Sequence, residues 1–363
     1  MHIALVISSL SSGGAERVLS ELANRIVEKE NSRVSLITFS AENAKPFYPL
    51  SQKIKLIQLN QSKNETFYLI RLKNIIKRVL CLRKMFKKLK LDAIISFVDI
   101  ANITTLIAAT GISVPVIVSE RTSPQNYKIP RLYQRIRRLF YPRAVFVLIQ
   151  TESCKDYFHY LDNIKIIPNA AMIPACTKKE MSSEVKNIVS TGRLHPHKDF
   201  DVLINAFKHL SERFPNIKLT IYGEGPERVN LEKLVESLNI QNRVFLPGVV
   251  SDIHSILADA DLFVFPSRYE GFPNALCEAM AVGLPVIASD CAGNVDVVRD
   301  NIDGRFFPVG SIRALTELMT ELLNDYEQRK RLSGNAKSIC NRFHPDKIFA
   351  MWDRLLNEAV RPH

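Results

Sequence analysis

The stretch SRYEGFPNALCE, Ser267 to Glu278, begins where the apolar run LFVFPS (262–267) ends. A short apolar run stopped by turn residues has the length and composition of a buried strand. A loop, RYEGF, follows, and then Pro273, which suits the first turn of a helix because its missing N–H is not needed there. The helix runs through NALCEAMAV and is stopped by Gly283. Glu270 therefore sits on the loop and Glu278 over a turn inside the helix. Between them the amides of Asn274, Ala275 and Leu276 lack helical acceptors and lie at the positive end of the helix dipole, where an anion is favoured. A carboxylate only accepts hydrogen bonds, so it suits vicinal hydroxyls better than phosphate. Two acids bracketing a phosphate-binding helix start read as a nucleotide-sugar site, one acid for the sugar and one for the ribose. Phe272, which closes the loop, joins that donor-binding set. One surface loop acid and one partly buried capping acid is the plainer reading of the same residues.

Outward from this stretch, short apolar runs alternate with helical patterns, the signature of βαβ units and a mainly parallel sheet. In the first half the strand candidates are 2–8, 33–39, 54–59, 93–97, 115–119 and 144–149. In the second half they are NIVSTG, IKLTIYG, VFLPG, LFVFPS and PVIAS, and three helical patterns close the chain. The Pro-punctuated stretch NIKIIPNAAMIPACTKKE (163–180) reads as a crossing between domains. The expected fold class is α/β, with two facing Rossmann-like, doubly wound domains, 1–168 and 169–344. A deep cleft should separate the carboxyl ends of their strands, where open α/β sheets bind ligands.

The remaining motifs fall just after strands. SSLSSGGAERVLSELA places Gly13 and Gly14 before an amphipathic helix, so the backbone turns tightly and the helix amides open toward a phosphate; an ordinary strand-to-helix turn has the same sequence. GxGxxG is absent and the second strand ends without an acidic residue, which argues against a nicotinamide cofactor. STGRLHPHKDF puts Arg193 and Lys198 in one loop, a planar donor fork beside a compact charge, suited to a diphosphate or else simply solvated. His195 and His197 lack carboxylate or thiol company and make a poor metal site. IYGEGPER repeats the strand–glycine–helix design, with Gly223 and Gly225 permitting close approach of a ligand or only a turn. Asp259 and Asp261 have a DxD spacing but precede a buried strand, where Asp serves as punctuation.

The chain has 363 residues, 46% hydrophobic and 24% charged, a globular composition long enough for two cores. Its six cysteines are scattered without a CxxC pair, which favours reduced thiols in a cytosolic setting over a disulfide framework. MHIALVISSLSSGGAER has no basic leader and its apolar run is short, so it reads as a strand rather than a signal peptide. No segment approaches the ~20 apolar residues of a spanning helix. The net charge is +12, and residues 1–165 hold 26 Lys+Arg against 12 Asp+Glu, so the basic excess belongs to the first half. Such asymmetry points to an anionic partner there.

Together, GGAER after the first strand, IPN at the crossing, GRLHPHKD, YGEGPER, FLPG and EGFPNALCE followed by AMAVGLPVIASD resemble family four of the retaining glycosyltransferases, of GT-B architecture. The resemblance covers nearly the whole chain. It implies that Arg193 and Lys198 bind the donor diphosphate and that Gly14 lets amides reach it. Glu270 would contact the donor sugar and Glu278 the ribose, with the amides near Asn274 and Ala275 on sugar and phosphate. It implies no metal or other cofactor, and a last helix, 345–363, that returns to the first domain. Many members carry a histidine after the strand written here PVIVSERTSP; this chain has Glu120 and Arg121. Arg121 stays protonated and cannot act as a base, so it enters the site set only as a hydrogen-bond donor. Charge developing on the leaving diphosphate makes preorganised donors the largest catalytic contribution.

RLKNIIKRVLCLRKMFKKLK (71–90) holds nine basic residues and no acid, with apolar residues at 72, 75, 76, 79, 82, 86 and 89 near helical spacing. RLYQRIRRLFYPR (131–143) adds a second basic patch. A basic amphipathic helix lies against anionic lipid headgroups, or packs on a core with a solvated face. Nucleic acid is disfavoured because no recognition module is present. The resemblance is to bacterial enzymes that extend undecaprenyl-diphosphate-linked glycans in surface-polysaccharide assembly. It implies a UDP-linked donor (UDP-GalNAc first, then UDP-GlcNAc or a UDP-hexose), an undecaprenyl-diphosphate-linked acceptor, and a peripheral place on the cytoplasmic face of the inner membrane. A GT-B-fold UDP-sugar epimerase and a non-catalytic membrane- or sugar-nucleotide-binding protein are the other readings.

Overall fold

A computed structural model describes residues 1–61, 68–122, 129–174, 176–177 and 181–361, with the backbone alone for 68–73. The chain forms two units, Met1–Asn169 together with Ile348–His363, and Ala170–Lys347.

The first unit is built on a fully parallel seven-stranded sheet. In chain order its elements are β1 (His2–Ile7), α1 (Gly14–Val27), β2 (Arg33–Thr38), β3 (Lys55–Gln58), α2 (Tyr68–Lys88), β4 (Ala93–Phe97), α3 (Asp99–Ala109), β5 (Val116–Ser119), α4 (Arg131–Phe140), β6 (Phe146–Ile149) and β7 (Ile164–Ile166). The strand order is β3-β2-β1-β4-β5-β6-β7, so the winding reverses between β1 and β4. Parallel strands buried on both faces need apolar residues at successive positions, and ALVI and AIISF supply them. Alternation along the strand then sorts the side chains. Ala4 and Val6 pack with Leu82 and Phe86 of α2, Ala101 and Leu106 of α3, and Tyr141 after α4. The opposite face takes Phe97, which stacks on Trp352 at 6.0 Å.

The second unit holds β8 (Asn187–Thr191), α5 (Phe200–Arg213), β9 (Lys218–Tyr222), α6 (Arg228–Ser237), β10 (Val244–Gly248), α7 (Ile253–Asp259), β11 (Leu262–Phe265), α8 (Asn274–Val282), β12 (Val286–Ser289), β13 (Arg305–Phe307), α9 (Ile312–Asn324), α10 (Tyr326–Ala336) and α11 (Ile339–Arg342). Its six parallel strands run β10-β9-β8-β11-β12-β13, and the winding reverses between β8 and β11. Leu262 and Val264 face the core with α5 and α9, while Phe263 and Phe265 face the core with α8. A last helix, α12 (Pro345–Val360), carries Trp352 into the first unit.

The sequence missed β7 and β13. Each is a three-residue sheet edge, too short for a periodic signal, and the first lies inside the stretch read as a crossing. Helix α8 begins at Asn274 with Pro273 as its cap, one residue later than expected, because Pro273 takes ψ 75°. Its end is as read: Gly283 adopts φ 86°, and Leu284 N–H turns back to the Ala279 carbonyl at 3.0 Å.

Candidate functional site

Ligands of open α/β sheets meet the carboxyl ends of the strands where the winding reverses. In the second unit that point lies between β8 and β11, and the loops leaving those strands carry Lys198 and Glu270. Lys198 Nζ lies 2.5 Å from Glu270 Oε1, each side chain only 12% exposed, and Nζ also sits 4.6 Å over the Phe265 ring. A partly buried lysine keeps its charge by finding an anion, and Glu270 is the anion this fold offers.

The two loops are fastened at several further points. The Arg268 guanidinium pairs with Asp199, and Arg268 N–H donates to the His197 carbonyl at 2.8 Å. Asp199 is buried and takes the left-handed φ 48°, which is uncommon outside glycine but tolerated by Asp. Burial pushes its carboxyl up, opposed by Arg268. The His197 ring stacks on Tyr269 at 5.1 Å. His195 Nδ1 and His197 Nδ1 lie 2.7 Å apart, so one donates its N–H and the other accepts. Burial and the neighbouring Lys198 pull His197 down to about 4, so it is neutral at physiological pH. The histidines therefore serve the loop. Among the described residues no three His, Cys, Asp or Glu groups converge as metal ligands. Asp261 spends its carboxylate on the amides of Lys186 and Asn187, at 2.9 and 3.0 Å.

Helix α8 opens from the same loop. Pro273 provides no side-chain cap, and the amides of Ala275 and Leu276 have no acceptor among the described residues. Phe272 is buried edge-on against Phe343 and closes the base of the loop. Glu278 lies one turn in and is buried. Gly293, unremarked in the sequence, fixes where Glu270 sits: a Cβ there would come within 2.7 Å of the Glu270 Cβ and carbonyl. Ser289 Oγ ties this region further by donating to the Ser267 carbonyl at 2.5 Å. Sequence reasoning also missed Asp199, Arg268 and Tyr269 as partners, although charged residues in the two loops after central strands were the available signal.

Gly223 and Gly225 follow β9. Their missing side chains leave room that protein fills: a Cβ at Gly223 would lie 1.8 Å from the Gly192 carbonyl oxygen, and one at Gly225 2.2 Å from that of Leu194. These glycines let the loops after β8 and β9 pack together, with Leu194 N–H bonded to the Glu224 carbonyl at 3.0 Å. Arg193 projects from the first of those loops and is exposed.

Gly14 and Arg121 belong to the first unit. Gly14 opens α1, whose cap, Gly13, makes no side-chain hydrogen bond. Arg121 follows β5 and lies over Phe97, 4.2 Å from the ring centroid. Beside it Glu120 is fully buried, accepts from Tyr141 Oη and lies 3.9 Å from Arg137. Burial pushes the Glu120 carboxyl up to about 7 against the pull of Arg137.

The basic stretches are less uniformly solvated than expected. Arg78 donates to the Gln61 carbonyl, and Arg83 to the carbonyls of Ala108 and Thr110, capping α3. Arg137 is buried among Tyr141, Tyr157 and Phe158. Leu82 and Phe86 reach the core, but Ile76 and Leu80 are 52% and 60% exposed among Lys77, Lys84, Lys87 and Lys88. On α4, Leu132 and Leu139 are 50% and 60% exposed among Arg131, Arg135 and Arg138. The side chains of 71–73 lie outside the described residues. No described helix is long and apolar enough to cross a membrane.

Residues 177–339 match the family model described as glycosyl transferases group 1. The chain is 32% identical, over 99% of both chains, to a Campylobacter jejuni protein named GalNAc-alpha-(1->4)-GalNAc-alpha-(1->3)-diNAcBac-PP-undecaprenol alpha-1,4-N-acetyl-D-galactosaminyltransferase. It is 27% identical to an Escherichia coli protein named UDP-Gal:alpha-D-GlcNAc-diphosphoundecaprenol alpha-1,3-galactosyltransferase, over 69% of this chain and 70% of that one. In fold it is similar to sucrose-phosphate synthase from Thermosynechococcus elongatus, with a TM-score of 0.86, 18% identity and 98% of each chain covered.

Proposed function

This chain belongs to the group 1 glycosyl transferases, and from that premise we propose that it moves a hexose or N-acetylhexosamine from a UDP-sugar to an undecaprenyl-diphosphate-linked oligosaccharide. Transfer proceeds with retention and without a metal. The observation that carries this reading is the Lys198–Glu270 pair beside the open amides of Ala275 and Leu276. Lys198 leaves Glu270 for the donor diphosphate, joined by Arg193 and the α8 amides. Glu270, released, accepts from hydroxyls of the donor sugar, and Glu278 from the ribose. The bond between the anomeric carbon and the phosphate oxygen breaks as an acceptor hydroxyl adds from the same face. The leaving diphosphate takes both the electron pair and the hydroxyl proton, so no enzyme base is needed. Cationic and amide donors aimed at that diphosphate act where charge develops, and each such donor contributes about 3 kcal/mol in related chemistry.

The relatives' names support an undecaprenyl-linked acceptor and make UDP-GalNAc the first donor to test. Exposed cations interleaved with Ile76, Leu80, Leu132 and Leu139 support peripheral binding to the cytoplasmic face of the inner membrane, at about 1 kcal/mol per cation near the surface. The deciding experiment is UDP release from a panel of UDP-sugars with crude lipid-linked acceptor, with and without EDTA. Acceptor-dependent turnover that persists in EDTA supports the proposal. Binding of UDP-sugars without any acceptor-dependent release sinks it.

A further inference from the structure

The first unit carries a donor pair that its described residues leave unmatched. Arg121 Nη1 donates to Asn169 Oδ1 at 2.7 Å, and Gln150 Nε2 donates to the same oxygen at 2.8 Å. The guanidinium rests on Phe97, with the Trp352 ring 5.8 Å away. Nε and Nη2 are shut from solvent and have no acceptor among the described residues. These two N–H groups share one edge of the planar guanidinium, the edge that grips two oxygens of an oxyanion side by side.

Among the described residues no acid answers that edge. Glu120, the adjacent carboxylate, is taken by Tyr141 and lies toward Arg137. Burial alone pulls Arg121 down to about 9, and a bound anion would reverse that shift. A buried cation without an anion is a costly arrangement for a fold to keep unless something completes it. A second sign lies at the same sheet edge: Val98, next to Phe97, holds φ 74°. A β-branched residue there is strained, and such strain concentrates at ligand sites.

We propose that Arg121 binds a phosphate of a diphosphate-bearing substrate through Nε and Nη2, at the carboxyl edge of the first sheet. Phe97 and the Asn169 side chain hold the guanidinium plane ready for it. The identity of the anion as a diphosphate rests on the transferase reading; the empty donor edge does not. Two sources share that chemistry, the nucleotide of the donor and the diphosphate of the lipid acceptor.

The test measures calorimetric binding of UDP and of geranyl diphosphate to the whole chain, as wild type, Arg121→Lys and Arg121→Met. Lysine keeps the charge and loses the two-pronged edge; methionine keeps only the apolar stem. One of the two ligands should bind about tenfold or more weakly to both variants. The unfolding midpoint of Arg121→Met without ligand should not fall, since an unpaired buried charge has been removed. A loss confined to UDP names the donor as source, and a loss confined to geranyl diphosphate names the acceptor. A wild type that binds neither ligand, or variants that bind both as tightly as wild type, overturns the assignment. So does full binding restored by lysine. Should the methionine variant fail to fold, the lysine variant decides alone. Binding is read without turnover, so this assignment and sugar transfer fail separately.

Discussion

Lys198 is paired with Glu270 in this fold, and that pairing separates binding from turnover in a measurable way. Glu270→Gln keeps the shape of the side chain and removes the charge competing for Lys198. Exposed ion pairs contribute about 0–1 kcal/mol and breaking fully buried ones costs about 3–5 kcal/mol. At 2.5 Å with 12% exposure on each side, this pair belongs between them, at roughly 2 kcal/mol. The Lys198 ammonium still donates to the new amide oxygen, with one charged partner in place of two, which retains about 1 kcal/mol of that. About 1 kcal/mol is therefore no longer spent when Lys198 turns to a diphosphate, or roughly fivefold in affinity. UDP, which lacks the sugar that Glu270 would hold, should bind Glu270→Gln about fivefold more tightly by calorimetry. Transfer should meanwhile fall by at least about tenfold, because the sugar hydroxyls lose a charged acceptor. Lys198→Ala should lose both UDP affinity and turnover. Weaker UDP binding in Glu270→Gln, with unchanged binding in Lys198→Ala, would refute the assigned roles.

Gly225→Ala forces a Cβ toward the Leu194 carbonyl oxygen, now 2.2 Å from its position, and should destabilise the protein by about 1–3 kcal/mol in urea unfolding; an unchanged midpoint contradicts the loop-packing account. Glu120→Gln tests a pH effect. The raised carboxyl keeps its proton in the folded chain but not in the unfolded one, so wild-type stability is full below about pH 4.5 and declines as pH rises through about 7. The variant should match wild type near pH 4 and exceed it by roughly 3 kcal/mol at pH 8; parallel stability curves would exclude this. Replacing Lys84, Lys87 and Lys88 by Glu should weaken pelleting with anionic liposomes, most at low salt, and unaltered pelleting removes α2 from the membrane surface.

Much of the architecture was legible because it is local. Strand β11, the loop bearing Glu270 and the Gly283 stop follow from residues within a few positions of one another, and each has its own backbone preference. Alternation of strands and helices was enough for two parallel doubly wound sheets. The edges β7 and β13 escaped because three residues carry no period, and only neighbouring strands make them strands.

Charge and spacing alone named Lys198, Arg193 and Glu270 as candidates. They did not determine that Lys198 and Glu270, 72 positions apart, would pair, nor that Arg268 would fasten Asp199. Sequence could not reveal that Gly223 and Gly225 make room for a neighbouring loop, or that Arg78, Arg83 and Arg137 serve carbonyls and a buried acid inside the fold. Periodicity records which side of an element is apolar. Which partner a polar group meets, and which edge of a guanidinium is left without one, depends on where distant loops are carried by the sheet, and only tertiary structure decides that.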